Sequence, residues 1–296
     1  MSQGQEGRPA VSGKEASVAP DRGGQPDRGG QPDRSGVLGV LCRFASKTLI
    51  IAELEVRKLR HDPTELVTRA VQPALWLLVF GMVFTRVRAI PTGGIPYIDF
   101  MAPGILAQSV LFIAIFYGIA IIWERDLGIV QKFLVSPTPR SALVLGKALS
   151  ASVRGLSQVM IVYVLAILLK VHLNRSPLAL VGVVVAVVLG AACFSTLSLV
   201  IACLVKTRER FMGIGQVMTM PLFFASNAIY PIAIMPRWLQ VVAHGNPLTY
   251  EVDALRTLML AGGTVKGSLV LDFGVLLGAT ALLVTIGSQL YPRVAR

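Results

Sequence analysis

Long apolar stretches separated by short polar connections make up most of this chain. A helix needs about 20 apolar residues to cross a bilayer, because it rises about 1.5 Å per residue through about 30 Å of hydrocarbon. Uniform hydrophobicity over such lengths favours helices over barrel strands, which alternate and are shorter. Six stretches qualify: Leu66 to Thr85, Phe100 to Trp123, Leu143 to Leu169, Leu178 to Val205, Phe211 to Ile234 and Leu269 to Leu290. The pattern predicts an all-α polytopic membrane protein with six transmembrane helices.

The sequence before these stretches is of two kinds. Residues 1–36 are rich in Gly, Pro, Gln, Asp and Arg and contain GGQPDR twice in tandem, which predicts a disordered tail. Residues 37–62 place Ile50 and Leu54 on one helical face and Arg57 and Lys58 on another, which predicts an amphipathic helix in the cytoplasmic interface. The transmembrane domain is then predicted to occupy residues 63–296.

Composition and charge support a membrane protein. The chain is 54% hydrophobic and only 15% charged, whereas a soluble domain carries about a quarter charged residues. Its net charge of +12 does not indicate nucleic-acid binding, because the basic residues are scattered between apolar blocks and no reading motif accompanies them. No cysteine spacing suggests a metal or redox site.

Basic residues near the ends of the predicted spans indicate the orientation. The densest cluster precedes the first span, and six spans would bring the C-terminus back to the same side. We therefore expect both termini in the cytoplasm and the protein in a bacterial plasma (inner) membrane. The loops that we expect outside the cytoplasm also contain basic residues, so the orientation rests mainly on the N-terminal cluster. These residues are Arg86, Arg88, Lys170 and Arg175.

The segment between spans 2 and 3 has the pattern of a short cytoplasmic helix. Glu124, Arg125 and Asp126 give a polar exit from the membrane, and proline ends the apolar helical run that follows. Gly146 and Lys147 stand where span 3 begins, with Lys147 able to extend to the headgroups. Such a helix is suited to passing force from a soluble partner, although an idle amphipathic loop has the same pattern.

This segment reads E-R-x-x-G-x-x-x-x-x-L-x-S-P-x-x-R and precedes a G-K pair. It resembles the ABC-2-type permeases, particularly the daunorubicin-resistance and nodulation-export group. Three further places are similar to that family in the right order: LRHDPTELVTRAVQPALWLLVFGMVF around span 1, AIYPI with MPRWLQ, and HGNPLTYEVDALRTLMLAG. The resemblance covers essentially the whole chain after residue 40.

The resemblance implies a coupling helix that docks on a separate nucleotide-binding ABC ATPase subunit. The matching positions are Glu124, Arg125, Asp126, Gly128, Phe133, Leu134, Ser136, Pro137 and Arg140. It also implies a second permease protomer, as a homodimer or heterodimer, and membrane lipids as surroundings. Short re-entrant helices in the outer leaflet would map to Met235–Leu260, with Asn246, Pro247, Asp253 and Arg256 as their distinctive residues. Glu251, Asp253 and Arg256 supply charges that we expect to pair near the outer surface or along the helix face.

The chain has no sequence signature of an ATP site. A P-loop requires G-x-x-x-x-G-K-S/T, whereas Gly146 and Lys147 are followed by Ala148 and lack the upstream glycine. Three histidines far apart and the absence of nucleophile and metal motifs argue against an enzyme. We expect no cofactor or metal in this chain, and ATP with Mg²⁺ on the partner subunit.

Four residues are candidates for a substrate pathway: Arg154, Gln216, Thr219 and Asn227. Packing or snorkelling is an alternative for each. Pro221, Asn227 and Pro231 also predict an interrupted fifth span. The predicted function is export of an amphipathic drug, antibiotic or lipid-like substrate. The alternative is a secondary transporter or channel driven by an ion gradient, which would usually carry ionisable groups at mid-membrane depth.

Overall fold

The computed structural model describes residues 63–87, 90–92, 94–128, 140–205, 207–261 and 268–291. All of them belong to one compact unit, Phe44–Arg296. The predicted disordered tail, the interfacial helix and most of the predicted coupling helix lie outside the described residues.

Helices dominate the described chain, as the apolar stretches predict. A π-helix, Trp76–Gly81, separates the first two α-helices. The α-helices are α1 Pro63–Leu75, α2 Met82–Val87, α3 Tyr97–Phe116, α4 Gly118–Asp126, α5 Arg140–Leu168, α6 Pro177–Leu204, α7 Arg208–Phe224, α8 Arg237–Gly245, α9 Pro247–Met259 and α10 Leu269–Leu290. The protein is therefore an all-α polytopic membrane protein.

Among the described residues, five helical segments are long and apolar enough to cross a membrane. They are Ala70–Val87, Tyr97–Asp126, Leu143–Leu168, Pro177–Leu204 and Leu269–Leu290. The predicted fifth span, Phe211 to Ile234, is only partly helical: α7 ends at Phe224, and 17 residues rise about 26 Å. A turn at 225–231 and a 3-10 helix, Ile232–Ile234, follow. The predicted interruption is confirmed, and the sixth crossing stays a prediction.

Helix α6 occupies the centre of the described bundle and packs against α3, α5, α9 and α10. Small residues on α6 permit this close approach, as is usual between helices in a membrane. A Cβ at Gly190 would overlap the Glu251 carboxyl group of α9. The α6–α9 contact therefore depends on a residue without a side chain.

A break at Tyr117 divides the second span into α3 and α4. The α6 residue Ser198 donates a hydrogen bond to the carbonyl oxygen of Ile115 and accepts one from the amide of Gly118 at 3.1 Å. The Gly118 position also has no room for a Cβ, because Ser198 and Phe211 occupy that space. A side chain of the neighbouring helix thus satisfies backbone groups freed by the break.

Candidate coupling site

The α4 and α5 ends that flank the predicted coupling segment are joined by an ion pair. Lys147 of α5 donates to the carboxylate of Glu124 of α4, and the two side chains are only 14% and 27% exposed. This pairing gives Lys147 a partner within the protein, and its extension to the headgroups stays a prediction. The pair fixes the separation of the two helix ends on either side of the segment.

A second set of contacts joins the end of α4 to α6 and α7. Asp126 accepts a 2.8 Å hydrogen bond from Arg208, the first residue of α7, and lies 3.3 Å from Arg125. The Arg208 guanidinium also stacks 3.6 Å from the centre of the Trp123 ring. Arg125 donates to the carbonyl oxygen of Val205, the residue after α6, at 3.2 Å. One short helix is therefore linked to three neighbours at one end of the bundle.

Gly128 ends the described chain on the α4 side of the segment. Its φ of +70° lies in the left-handed region that favours glycine, and its amide donates to the carbonyl oxygen of Arg125 at 2.9 Å. The chain returns at residue 140, where the backbone of α5 begins. Phe133, Leu134, Ser136 and Pro137 lie outside the described residues, as does the side chain of Arg140. Their predicted docking role stays a prediction.

The predicted re-entrant segment forms two short helices, α8 and α9, that meet at Asn246. The Asn246 side chain accepts from the amide of Leu248 and donates to the carbonyl oxygens of Leu222 and Ala225, at 2.7 and 2.9 Å. Pro247 occupies the first position of α9, where its missing N–H costs nothing. Asn246 and Pro247 thus set the turn and tie it to the end of α7. Whether this segment enters a leaflet stays a prediction.

Arg256, in the last turn of α9, is the buried centre of a polar cluster. Its guanidinium donates to the carbonyl oxygens of Asn227, at 2.8 Å, and Phe100, at 3.3 Å, and lies 3.9 Å from the Phe100 ring centre. Asp253 is 3.4 Å away and accepts from the Asn227 side chain. The expected pairing of α9 charges is confirmed for Arg256 with Asp253.

Glu251 has different surroundings from Asp253 and Arg256. Its side chain is fully buried, and neither carboxyl oxygen has a hydrogen-bond partner among the described residues. Burial raises the pKa of Glu251 well above the usual carboxyl range, which favours the neutral acid. The sequence suggested pairing near the outer surface, and the packing of α9 against α6 overrides it.

The four predicted pathway residues have separate surroundings. Arg154 is exposed with its guanidinium 5.2 Å from the Tyr117 ring centre, and Gln216 is exposed on α7. Thr219 is buried and donates to the Gly215 carbonyl oxygen of its own helix. Asn227 belongs to the Arg256 cluster. Thr219 therefore packs within the protomer, while Arg154 and Gln216 are accessible.

Sequence reasoning did not find the hydrogen bonds of Ser198 at the α3–α4 break or the link from Arg208 to Asp126. Partners 82 residues apart carry no local signal, because only the packing of α4 beside α7 brings them together. Thr207 accepts from the amide of Arg210, so the polar run after α6 could have been identified as a helix start.

Comparisons with known proteins agree with this architecture. The ABC-2 type transporter family model matches residues 46–260. The chain is 27% identical to ycf38, named as a transport permease, of Cyanophora paradoxa, over 73% of this chain and 74% of the relative. It is 25% identical to the daunorubicin resistance ABC transporter permease protein DrrB1 of Streptomyces coeruleorubidus, over 80% and 81%. It is also 25% identical to the inner membrane transport permease YadH of Escherichia coli K12, over 71% and 80%. This chain therefore belongs to the ABC-2 type transporter family and is a multi-pass membrane transport permease.

Proposed function

We propose that this protein is the membrane-spanning subunit of an ATP-driven exporter in a bacterial inner membrane, with both termini in the cytoplasm. A separate ABC ATPase would bind ATP and Mg²⁺ and dock on the segment between α4 and α5. The observation that carries the proposal is the set of contacts at this end of the bundle. Glu124 with Lys147 joins the α4 flank of the segment to α5, and Asp126 with Arg208 joins the same flank to α7.

These contacts provide a route for force. A displacement of the segment moves the end of α4, which is linked by side chains to α5, α6 and α7. The pair of Glu124 with Lys147 is half-buried and resists separation more than the exposed pair of Asp126 with Arg208, because solvent screens it less. Helix ends linked in this way would move with the segment when the ATPases close.

An amphipathic substrate, such as a drug, an antibiotic or a lipid, fits the proposal best. Support comes from the likeness to DrrB1, a daunorubicin resistance permease by its name. The exposed faces of the helices are also strongly apolar. A substrate that partitions into the bilayer can reach such faces laterally, whereas a fully polar one cannot.

A second protomer on the exposed side of α7 would complete the exporter. Gln216 lies on that side among exposed apolar residues, including Met212, Val217 and Met220. An amide exposed to hydrocarbon is unfavourable unless a protein or water partner satisfies it. A facing copy of α7, or a pathway between two copies, would supply that partner.

The decisive experiment measures ATP turnover and transport together. The tagged chain is purified in mild detergent from its native host, the co-purifying P-loop ATPase is identified by mass spectrometry, and the complex is reconstituted in liposomes. We expect about one ATPase per permease. Glu124→Gln and Asp126→Asn should keep the ATPase bound and its turnover measurable while transport falls about tenfold or more, since the links that carry the motion are lost.

Glu209→Gln is the matched control. Glu209 is exposed one residue after Arg208 and makes no ion pair with the described residues, so this variant should transport like the wild type. Normal transport by both Glu124→Gln and Asp126→Asn would refute the coupling role. Purification without any ATPase, with transport still running, would refute the exporter.

A secondary transporter is the second candidate, because Glu251 is a buried carboxyl with no partner among the described residues. Such groups often carry protons in gradient-driven transporters. In liposomes without ATPase, a proton gradient alone would then drive transport, and Glu251→Gln would abolish it. ATP-dependent transport that survives Glu251→Gln would exclude this alternative.

A further inference from the structure

A groove of about 940 Å³ lies at the opposite end of α5 from the coupling segment, between the end of α5 and the start of α6. We call it the outer groove. Its lining residues are Tyr163, Ile167, Lys170, Val171, His172, Leu173, Asn174, Arg175, Ser176, Pro177, Leu180 and Ala261. No acidic residue is among them. A groove of this size accommodates a lipid headgroup or a drug-sized molecule.

The loop that forms the groove is held in place by α9. The amide of Asn174 donates to the carbonyl oxygen of Met259 at 2.8 Å, and the amide of Ala261 donates to that of His172 at 2.9 Å. His172 also lies 2.7 Å from the carboxylate of Asp99, which is buried at the start of α3. The groove is therefore a formed feature of the fold.

The groove is basic. Lys170 and Arg175 are exposed on either side of His172 and have no ion-pair partner among the described residues. The N-terminus of α6 adds to this, because Ser176 caps it without a side-chain hydrogen bond and Pro177 follows. Two cations and the amides of a helix start together attract an anion.

One wall of the groove is apolar. Ile167 and Leu180 line it, and they are 64% and 47% exposed. Five residues of helix separate Tyr163 from Leu168, the last residue of α5, which is about 8 Å along the axis, and Lys170 follows in the turn. The apolar wall thus continues from the basic rim along helices that cross the membrane.

We infer that the outer groove binds an anionic phospholipid, with its phosphodiester headgroup between Lys170 and Arg175 and its acyl chains along Ile167 and Leu180. The charges select an anion, and the apolar wall selects a molecule with a tail. A soluble phosphate would leave the apolar wall uncovered. A zwitterionic lipid would place its own cation beside these two. The lipid lies at the helix ends and would hold the α5–α6 loop at the membrane surface.

The test is native mass spectrometry of the full chain released from detergent that contains equal amounts of phosphatidylglycerol and phosphatidylcholine. We expect one phosphatidylglycerol per protomer to be retained in preference to phosphatidylcholine. The double variant Lys170→Gln/Arg175→Gln should lower that retention about tenfold or more, since each cation near an anionic headgroup contributes about 1 kcal/mol.

The control removes the same charge elsewhere. Arg86, in the last turn of α2, and Arg237, at the start of α8, are exposed and outside the groove. Arg86→Gln/Arg237→Gln should retain the lipid like the wild type. Leu180→Gln should weaken retention and leave both cations in place.

Three results would overturn the inference. The first is equal retention of the two lipids by the wild-type chain, a comparison that does not depend on any variant. The second is equal loss in the groove variant and its control. The third is release of phosphatidylglycerol by millimolar inorganic phosphate with binding of the phosphate, which would identify a soluble anion site.

Discussion

Replacing Gly190 by alanine tests the contact between α6 and α9. The added Cβ would overlap all three atoms of the Glu251 carboxyl group, so the side chain and its helix must shift. Overpacking of this kind costs about 1–3 kcal/mol, and a fully buried neighbour places Gly190→Ala near the upper end. Alanine in a helix offsets about 1 kcal/mol of this. We expect the free energy of unfolding to fall by about 2 kcal/mol.

The control is Gly278→Ala in α10, where a Cβ would contact nothing. This variant should be neutral or stabilised by up to about 1 kcal/mol. Both variants are measured by circular dichroism during titration from a mild detergent into a denaturing one. Expression and chromatographic behaviour show whether each variant folds.

A double-mutant cycle isolates the cause. In the Glu251→Ala background the overlap is gone, so Gly190→Ala should cost much less, with a coupling energy of about 1–3 kcal/mol. Equal effects of Gly190→Ala and Gly278→Ala would contradict this role of the Gly190–Glu251 contact, as would an unchanged cost of Gly190→Ala when Glu251 is removed.

Four further predictions concern the same protein. Arg256→Ala should lower the free energy of unfolding by about 3–5 kcal/mol, because two buried carbonyl oxygens and a carboxylate lose their donor. The same titration measures this change, and a loss below about 1 kcal/mol would contradict the prediction. Because burial raises the pKa of Glu251, the folded protein keeps this proton to higher pH than the unfolded chain does. The stability of the wild type relative to Glu251→Gln should therefore fall as the pH rises above the ordinary carboxyl range, and a rise in stability would contradict this. Gly128→Ala should lower the free energy of unfolding by about 1–2 kcal/mol in the same titration, because Gly128 has a left-handed backbone conformation. In liposomes this variant should reduce transport more than ATP turnover. An equal reduction of both would argue against coupling. In a cysteine-free background Gln216→Cys should form a disulfide-linked dimer on non-reducing gels, whereas Leu282→Cys, exposed on α10, should not.

The spanning helices could be predicted from the sequence because each is one uninterrupted apolar run. Helices α6 and α10 begin and end within one residue of the predicted limits. The thickness of the hydrocarbon sets the length of each helix, and flanking proline or polar residues mark its ends. The break after α7 was also predictable, because Pro221 and Pro231 are a local sequence signal for the end of a helix. The sixth crossing depends on how the irregular turn between them lies in the membrane, which no local pattern specifies.

The candidate sites could be predicted only as sequence segments. Glu124, Asp126 and Gly128 stand at the segment that the motif indicated, and Asn246 and Arg256 form the contacts that define α9. Their partners come from other helices and depend on which helices are neighbours. Glu251 shows the limit most clearly, because its sequence context is a polar helix face, whereas it is buried by the packing of α9 against other helices, including α6 at Gly190.

The break at Tyr117 gives the second span two mechanical roles. Helix α3 is deeply buried, whereas α4 is a separate helix of nine residues, about 13 Å long, that starts at the break and ends at the linked charges. Ser198 satisfies the backbone at this break, so a rotation of α4 in the proposed exporter would leave the hydrogen bonds within α3 in place. In the proposed exporter, a force on Asp126 would then tilt the short helix α4 and would not move the whole second span through the core.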